Sequence, residues 1–177
     1  MKVTAASLPD CLLLQPERYS DKRGFFQENF RAAGYRQAGI NEELVQDNWS
    51  RSGKGVLRGM HFQHQAAQGK LISVVRGEIY DVAVDVRRHS ASFGRWQAVV
   101  LSEHQPQQLW LPPGFAHGFL VLSDVADVLY KTSHYYNPSD EAAFCCFSPE
   151  LGITWPDLPY IQSEKDSAAR SFNEVFS

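Results

Sequence analysis

The hydrophobic pattern along the chain consists mainly of short alternating runs, and it predicts strands rather than helices. "YDVAVDVR" alternates cleanly, with Tyr80, Val82, Val84 and Val86 on one face and Asp81, Ala83 and Asp85 on the other. "KLISVV" precedes it, and Arg76-Gly77-Glu78 between the two reads as the turn of a hairpin. Further strand candidates are "CLLL", "GFFQENF", "VLRGMHFQ", "WQAVVLS", "QLWLP", "GFLVLS", "ADVLYKTS" and "AAFCCFS". About ten such segments, separated by Gly, Pro, Asn and Asp, predict an antiparallel β-sandwich or small barrel. Helical signal is minor, limited to "FRAAGYRQAG" around position 35 and a fringe after Asp166.

Composition narrows the class without changing the fold. The 177 residues suit one domain over 1–177 with a sizeable core, and 44% hydrophobic with 21% charged residues is ordinary for a soluble globular protein. A net charge of -3 and a pI near 6.1 argue against a nucleic-acid platform. Cys11, Cys145 and Cys146 make an odd count, and the adjacent pair cannot easily close on itself, so a reducing cytoplasm is expected. The apolar run in "AASLPDCLLLQPER" breaks at Pro9-Asp10, so neither a signal peptide nor a membrane partner is expected.

Candidate chemistry starts at "VLRGMHFQ", where Arg58 and His61 interrupt a segment that a core would fill with apolar residues. His61 is either a proton-transfer base or a satisfied core histidine. Strict alternation puts Arg58 and His61 on opposite faces unless Gly59 marks a bulge. A strand-borne metal site favours His-x-His, whereas "HFQH" spaces His61 and His64 onto opposite faces. Lys70 follows where a carboxylate ligand would be wanted, so no metal is expected. Base chemistry needs an orienting partner, a group that stabilises the anion, and an acid on the opposite side. Asp166, Lys70 and Tyr130 are of suitable type, though each also reads plainly as a helix cap, a solvated lysine and a core tyrosine.

The ordered set "DKRGFFQE", "VQDNWS", "VLRGMHFQ", "AQGKL", "GEIYDVAVDVR", "LWLPPGFAHGF", "LYKTSHYYNP", "LGITWP" and "SEKD" resembles the dTDP-4-dehydrorhamnose 3,5-epimerase family, a metal-free branch of the cupin superfamily. The resemblance implies an all-β, cupin-like jelly-roll sandwich with minor short helices. It implies no cofactor, dTDP-4-keto-6-deoxyglucose as substrate, and a homodimer in which a swapped N-terminal strand completes the partner's sheet.

It also implies residue roles. His61 takes a proton from carbon beside the sugar ketone, Asp166 orients the imidazole, Lys70 stabilises the enolate oxygen, and Tyr130 returns a proton from the other face. Arg23 and Arg58 bind phosphates or adjoining groups, and Glu28, Gln46, Asn48, Glu141 and Lys165 match nucleotide and sugar contacts. Asp47 ranks below its neighbours in "QDN". His117 lines the pocket, Tyr136 stacks on thymine, and Tyr135 packs elsewhere. Ala66 departs from the family's usual proline. The alternatives are an epimerase acting at a single carbon and a cupin that binds a sugar nucleotide or a metal without catalysis.

Overall fold

The structure is a computed structural model that describes residues 1–177. In chain order its elements are β1 (Lys2–Ala5), β2 (Leu12–Gln15), β3 (Arg18–Asp21), β4 (Gly24–Gln27), α1 (Ala32–Gln37), β5 (Gln46–Gly53), β6 (Leu57–Gln63), β7 (Lys70–Arg76) and β8 (Glu78–Asp85). They continue with β9 (Trp96–Ser102), β10 (Gln108–Leu111), β11 (Phe115–Val121), β12 (Val125–Thr132), β13 (Glu141–Ala143), α2 (Glu164–Ser167) and α3 (Phe172–Phe176). A six-stranded sheet runs β1-β2-β10-β7-β12-β5 and a five-stranded sheet runs β13-β6-β11-β8-β9. The fold is the expected cupin-like antiparallel β-sandwich. No helix is long and apolar enough to cross a membrane.

The two strands flanking Gly77 do not form a hairpin. β7 pairs with β10 and β12, while β8 pairs with β11 and β9 in the other sheet. Gly77 adopts φ 76°, and a side chain there would meet the Val125 carbonyl oxygen at 2.1 Å, so this corner lets the chain change sheets. "AAFCCFS" is likewise only partly a strand, since β13 ends at Ala143.

β8 is buried on both sides. Ile79 and Ala83 point between the sheets and join Ile72, Leu109, Phe115 and Val128. Val82, Val84 and Val86 point outward beneath Phe144, Trp155 and Phe172 of the C-terminal segment. Burial of each large aliphatic or aromatic side chain contributes about 1.5–3 kcal/mol. On the outer face of the six-stranded sheet, Tyr35 of α1 and Ile40 after it cover Leu14, Leu71 and Trp110.

The β3–β4 hairpin forms a separate two-stranded sheet. It exposes Tyr19, Phe25 and Phe26, with the Arg18 guanidinium 4.0 Å from the centre of the Phe25 ring.

Gly59 answers the question raised by Arg58 and His61. Pairing of β6 with β11 slips between His117 and Phe119, opposite Gly59, and Gly59 adopts φ 120°. An added Cβ would lie 2.5 Å from the Gly118 Cα. Only glycine suits this irregularity, which turns Arg58 and His61 towards one cavity.

Candidate active site

The cavity opens between the sheets and holds about 370 Å³, ample for part of a sugar nucleotide. The five-stranded wall supplies Arg58 and His61 from β6, His117 from β11 and Glu141 from β13. The opposite wall supplies Gln46 and Asn48 from β5, Lys70 from β7 and Tyr130 from β12. Tyr136 closes one side from the loop before β13. His61 and Tyr130 therefore stand on opposite walls of one space.

Asp166 reaches His61 from α2. Ser163 caps that helix by accepting from the Asp166 N–H, so the backbone is capped by Ser163 and the Asp166 carboxylate is free for another partner. Its Oδ1 lies 2.6 Å from His61 Nε2. The carboxylate fixes the tautomer with hydrogen on Nε2 and leaves the Nδ1 lone pair to accept a proton. Burial works to raise the Asp166 pKa, but the hydrogen bond and charge of His61 outweigh it and hold the group below the usual carboxylate range.

Lys70 is buried at the first position of β7, and its Nζ donates to the His61 carbonyl oxygen at 3.2 Å. Burial pushes its pKa down to about 8, against the pull of Asp81 and then Glu141. Burial also raises the Tyr130 pKa, which Arg58 partly opposes, so the phenol keeps its proton at neutral pH. Arg58 Nε donates to Ser52 Oγ at 3.1 Å.

A second polar chain lies beside the dyad. Lys165 pairs with Glu141, and Tyr136 donates its hydroxyl to Glu141 Oε2 at 2.8 Å. Gln46 Oε1 accepts from the Tyr136 N–H at 2.8 Å and Gln46 Nε2 donates to Asn48 Oδ1 at 2.9 Å, fixing the ring's place at the rim.

Not every expected residue comes to the cavity. Arg23 pairs with Asp21 and Glu28 with Arg31, both on or beside the exposed β3–β4 hairpin, and neither Arg23 nor Glu28 lines the cavity. Asp47 points outward and accepts from Lys131 Nζ at 2.8 Å. Tyr135 does not pack but is 70% exposed, because the chain has already left β12 and its alternation no longer applies. Asp81 was missed: its Oδ2 lies 2.8 Å from His117 Nε2, yet in sequence it is only the polar partner in a valine alternation. Ser50, Gln63 and Gln68 also line the cavity. No group of three or more His, Cys, Asp or Glu side chains is placed to hold a metal ion.

A histidine bonded to a buried carboxylate, with a protonated phenol on the opposite wall and a buried lysine in the same cavity, fits a proton-transferring isomerase on a cupin-like sandwich. The family model described as dTDP-4-dehydrorhamnose 3,5-epimerase matches residues 5–174, and the chain belongs to that family. It is 46% identical to the dTDP-4-dehydrorhamnose 3,5-epimerase of Pseudomonas aeruginosa over 99% of this chain and 98% of that one. An equally similar relative from Neisseria gonorrhoeae is longer, and this chain spans 54% of it.

Among solved structures, the dTDP-6-deoxy-D-glucose-3,5-epimerase of Legionella pneumophila in complex with dTDP-4-keto-L-rhamnose superposes with a TM-score of 0.95. It is 46% identical, over 98% of this chain and 94% of that one. A 3'-monoepimerase from Streptomyces bikiniensis in complex with dTDP-quinovose superposes at 0.90 with 33% identity, over 97% and 88% of the two chains.

Proposed function

We infer that this chain epimerises dTDP-4-dehydro-6-deoxy-D-glucose at both carbons flanking the ketone, giving dTDP-4-dehydro-L-rhamnose for dTDP-L-rhamnose synthesis. The ketone acidifies the hydrogens on both neighbours, so one enolate-stabilising site serves the 3- and 5-positions in turn. His61 Nδ1 removes the proton, Asp166 stabilises the resulting imidazolium, and the Lys70 ammonium meets the enolate oxygen. Tyr130 delivers a proton to the opposite face, and inversion follows. The observation that carries this reading is the placement of His61 and Tyr130 on opposite walls of one cavity.

Arg58, Gln46, Asn48, His117, Tyr136, Glu141 and Lys165 hold the sugar and nucleotide, with the Tyr136 ring as a stacking face for thymine. The whole range 1–177 acts as one domain. A cytoplasmic location agrees with three free cysteines.

Incubation with the keto sugar in heavy water, followed by proton NMR, tests the double inversion. Deuterium is expected at both the 3- and 5-positions. Incorporation at one carbon alone would replace this reading with single epimerisation.

The homodimer is part of the same reading. Exposed Phe25, Phe26 and Tyr19 on the separate β3–β4 hairpin suit a second copy as the covering surface, and Arg23 and Glu28 would then reach that copy's cavity. Solution scattering is expected to give a dimer, and Arg23→Ala to weaken dTDP binding. A monomeric, fully active species in solution would overturn the arrangement.

A further inference from the structure

We propose that Asp81 is a positioning residue of this site, whose buried carboxylate acts through two neighbours by keeping Lys70 charged and His117 in a single tautomer. The inference rests on the proposed epimerase reading and concerns a group to which that reading gives no role.

On the inward face of β8, Ile79 and Ala83 flank Asp81 in the core between the sheets, whereas the other buried carboxylate of that face, Asp85 at the strand's end, has both oxygens bonded to Arg87. Asp81 has no exposure to solvent. Its Oδ2 meets His117 Nε2 at 2.8 Å, but its Oδ1 is buried with no hydrogen-bond partner. A carboxylate kept for stability alone would have both oxygens satisfied, and an aliphatic residue would fit this layer at no desolvation cost. The half-satisfied carboxylate is therefore best explained by what it does to its neighbours.

His117 is its direct partner, and Lys70 is the buried cation whose charged form it favours. Lys70 shares the cavity with Arg58 and His61 of β6, His117 of β11, Tyr130 of β12, Tyr136 of the following loop and Glu141 of β13. Asp81 and Glu141 are the carboxylates that favour its charged form, Asp81 the more strongly, while burial opposes them and leaves the pKa at about 8. Enolate stabilisation needs the ammonium, so the contribution of Lys70 is complete below that pH and lost above it. Without the Asp81 charge the loss begins at lower pH. On His117, the bond to Asp81 keeps hydrogen on Nε2 and leaves Nδ1 for the substrate.

The test uses full-length chain carrying isotope-labelled lysine and histidine. Lys70 is expected to titrate near 8 in the wild type, and about one unit or more lower in Asp81→Asn. The alkaline limb of kcat should move with it, a loss of about tenfold per unit on that side, with partial recovery on acidification and a much smaller change in KM. Glu141→Gln, read only through the Lys70 titration, should shift it less. An unchanged midpoint in Asp81→Asn, or a larger shift in Glu141→Gln, overturns the proposal.

The nitrogen shifts of wild-type His117 give an independent check that needs no variant to fold: hydrogen on Nδ1 instead of Nε2 also overturns it. A wild-type chain that binds dTDP but exchanges no substrate hydrogen would refute the epimerase reading instead, and the Lys70 titration would still report on Asp81.

Discussion

His61→Ala is expected to lower kcat by about 100- to 10,000-fold, the usual effect of removing a positioned base. Binding of dTDP itself should change little, because in the proposed reading the imidazole, which shares the cavity with Lys70 and Tyr130, acts on the sugar and not on the nucleotide. Titration calorimetry with dTDP and a coupled turnover assay separate the two effects. The substitution also leaves Asp166 buried without its 2.6 Å partner, so some thermal stability should be lost as well. A melting curve distinguishes that loss from the catalytic one. If turnover stayed near normal, the base would have to be another group, and His117 would be the first candidate.

Tyr130→Phe separates two events that His61→Ala removes together. The ring fills the same space, so packing on β12 survives, while the hydroxyl proposed to return the proton is gone. Proton removal by His61 continues, and the enolate is reprotonated from the original side or by water. In heavy water the variant should exchange substrate hydrogen for deuterium faster than it forms inverted product, with kcat for inversion down about 100-fold or more. The raised Tyr130 pKa supports this role, since burial keeps the phenol protonated and able to donate. An exchange-to-inversion ratio equal to that of the wild type would rule out Tyr130 as the acid.

The strands that build the core were legible because their alternation is apolar. β7 and β8 lie where "KLISVV" and "YDVAVDVR" suggested. β5 was invisible for the opposite reason. Its inward residues are Gln46, Asn48, Ser50 and Ser52, its outward ones include Asp47, Trp49 and Arg51, and no hydrophobic period marks it. A strand that lines a polar cavity has exchanged the usual signal for function. The mistaken hairpin at Gly77 has a different source, since turn residues mark where a chain bends but not which sheet it enters next.

The site followed the same division. His61, Lys70, Tyr130 and Asp166 were proposed through family motifs, not through spacing, because β6, β7, β12 and α2 meet only in the folded chain. Arg23 and Glu28 do not line the cavity of this chain, since their hairpin forms a sheet of its own. Asp81 carried no mark beyond alternation; its meaning lies in the pairing of Asp81 with Phe119 across β11, one step along from His117 opposite Ala83.

The change of sheet at Gly77 bears on how the molecule forms. Because successive strands enter different layers, most ladders join distant parts of the chain: Leu13 with Leu109, His61 with His117, Asn48 with Tyr130. Each such closure carries an entropy cost that falls due before the pairing returns any stabilisation, which places chains of this topology among the slower folders. Each wall of the cavity belongs to a different sheet, so a chain with only one sheet formed has half a site and no route from base to acid. Recovery of inversion during refolding therefore counts chains that have completed both layers, a stricter measure than recovery of strand content.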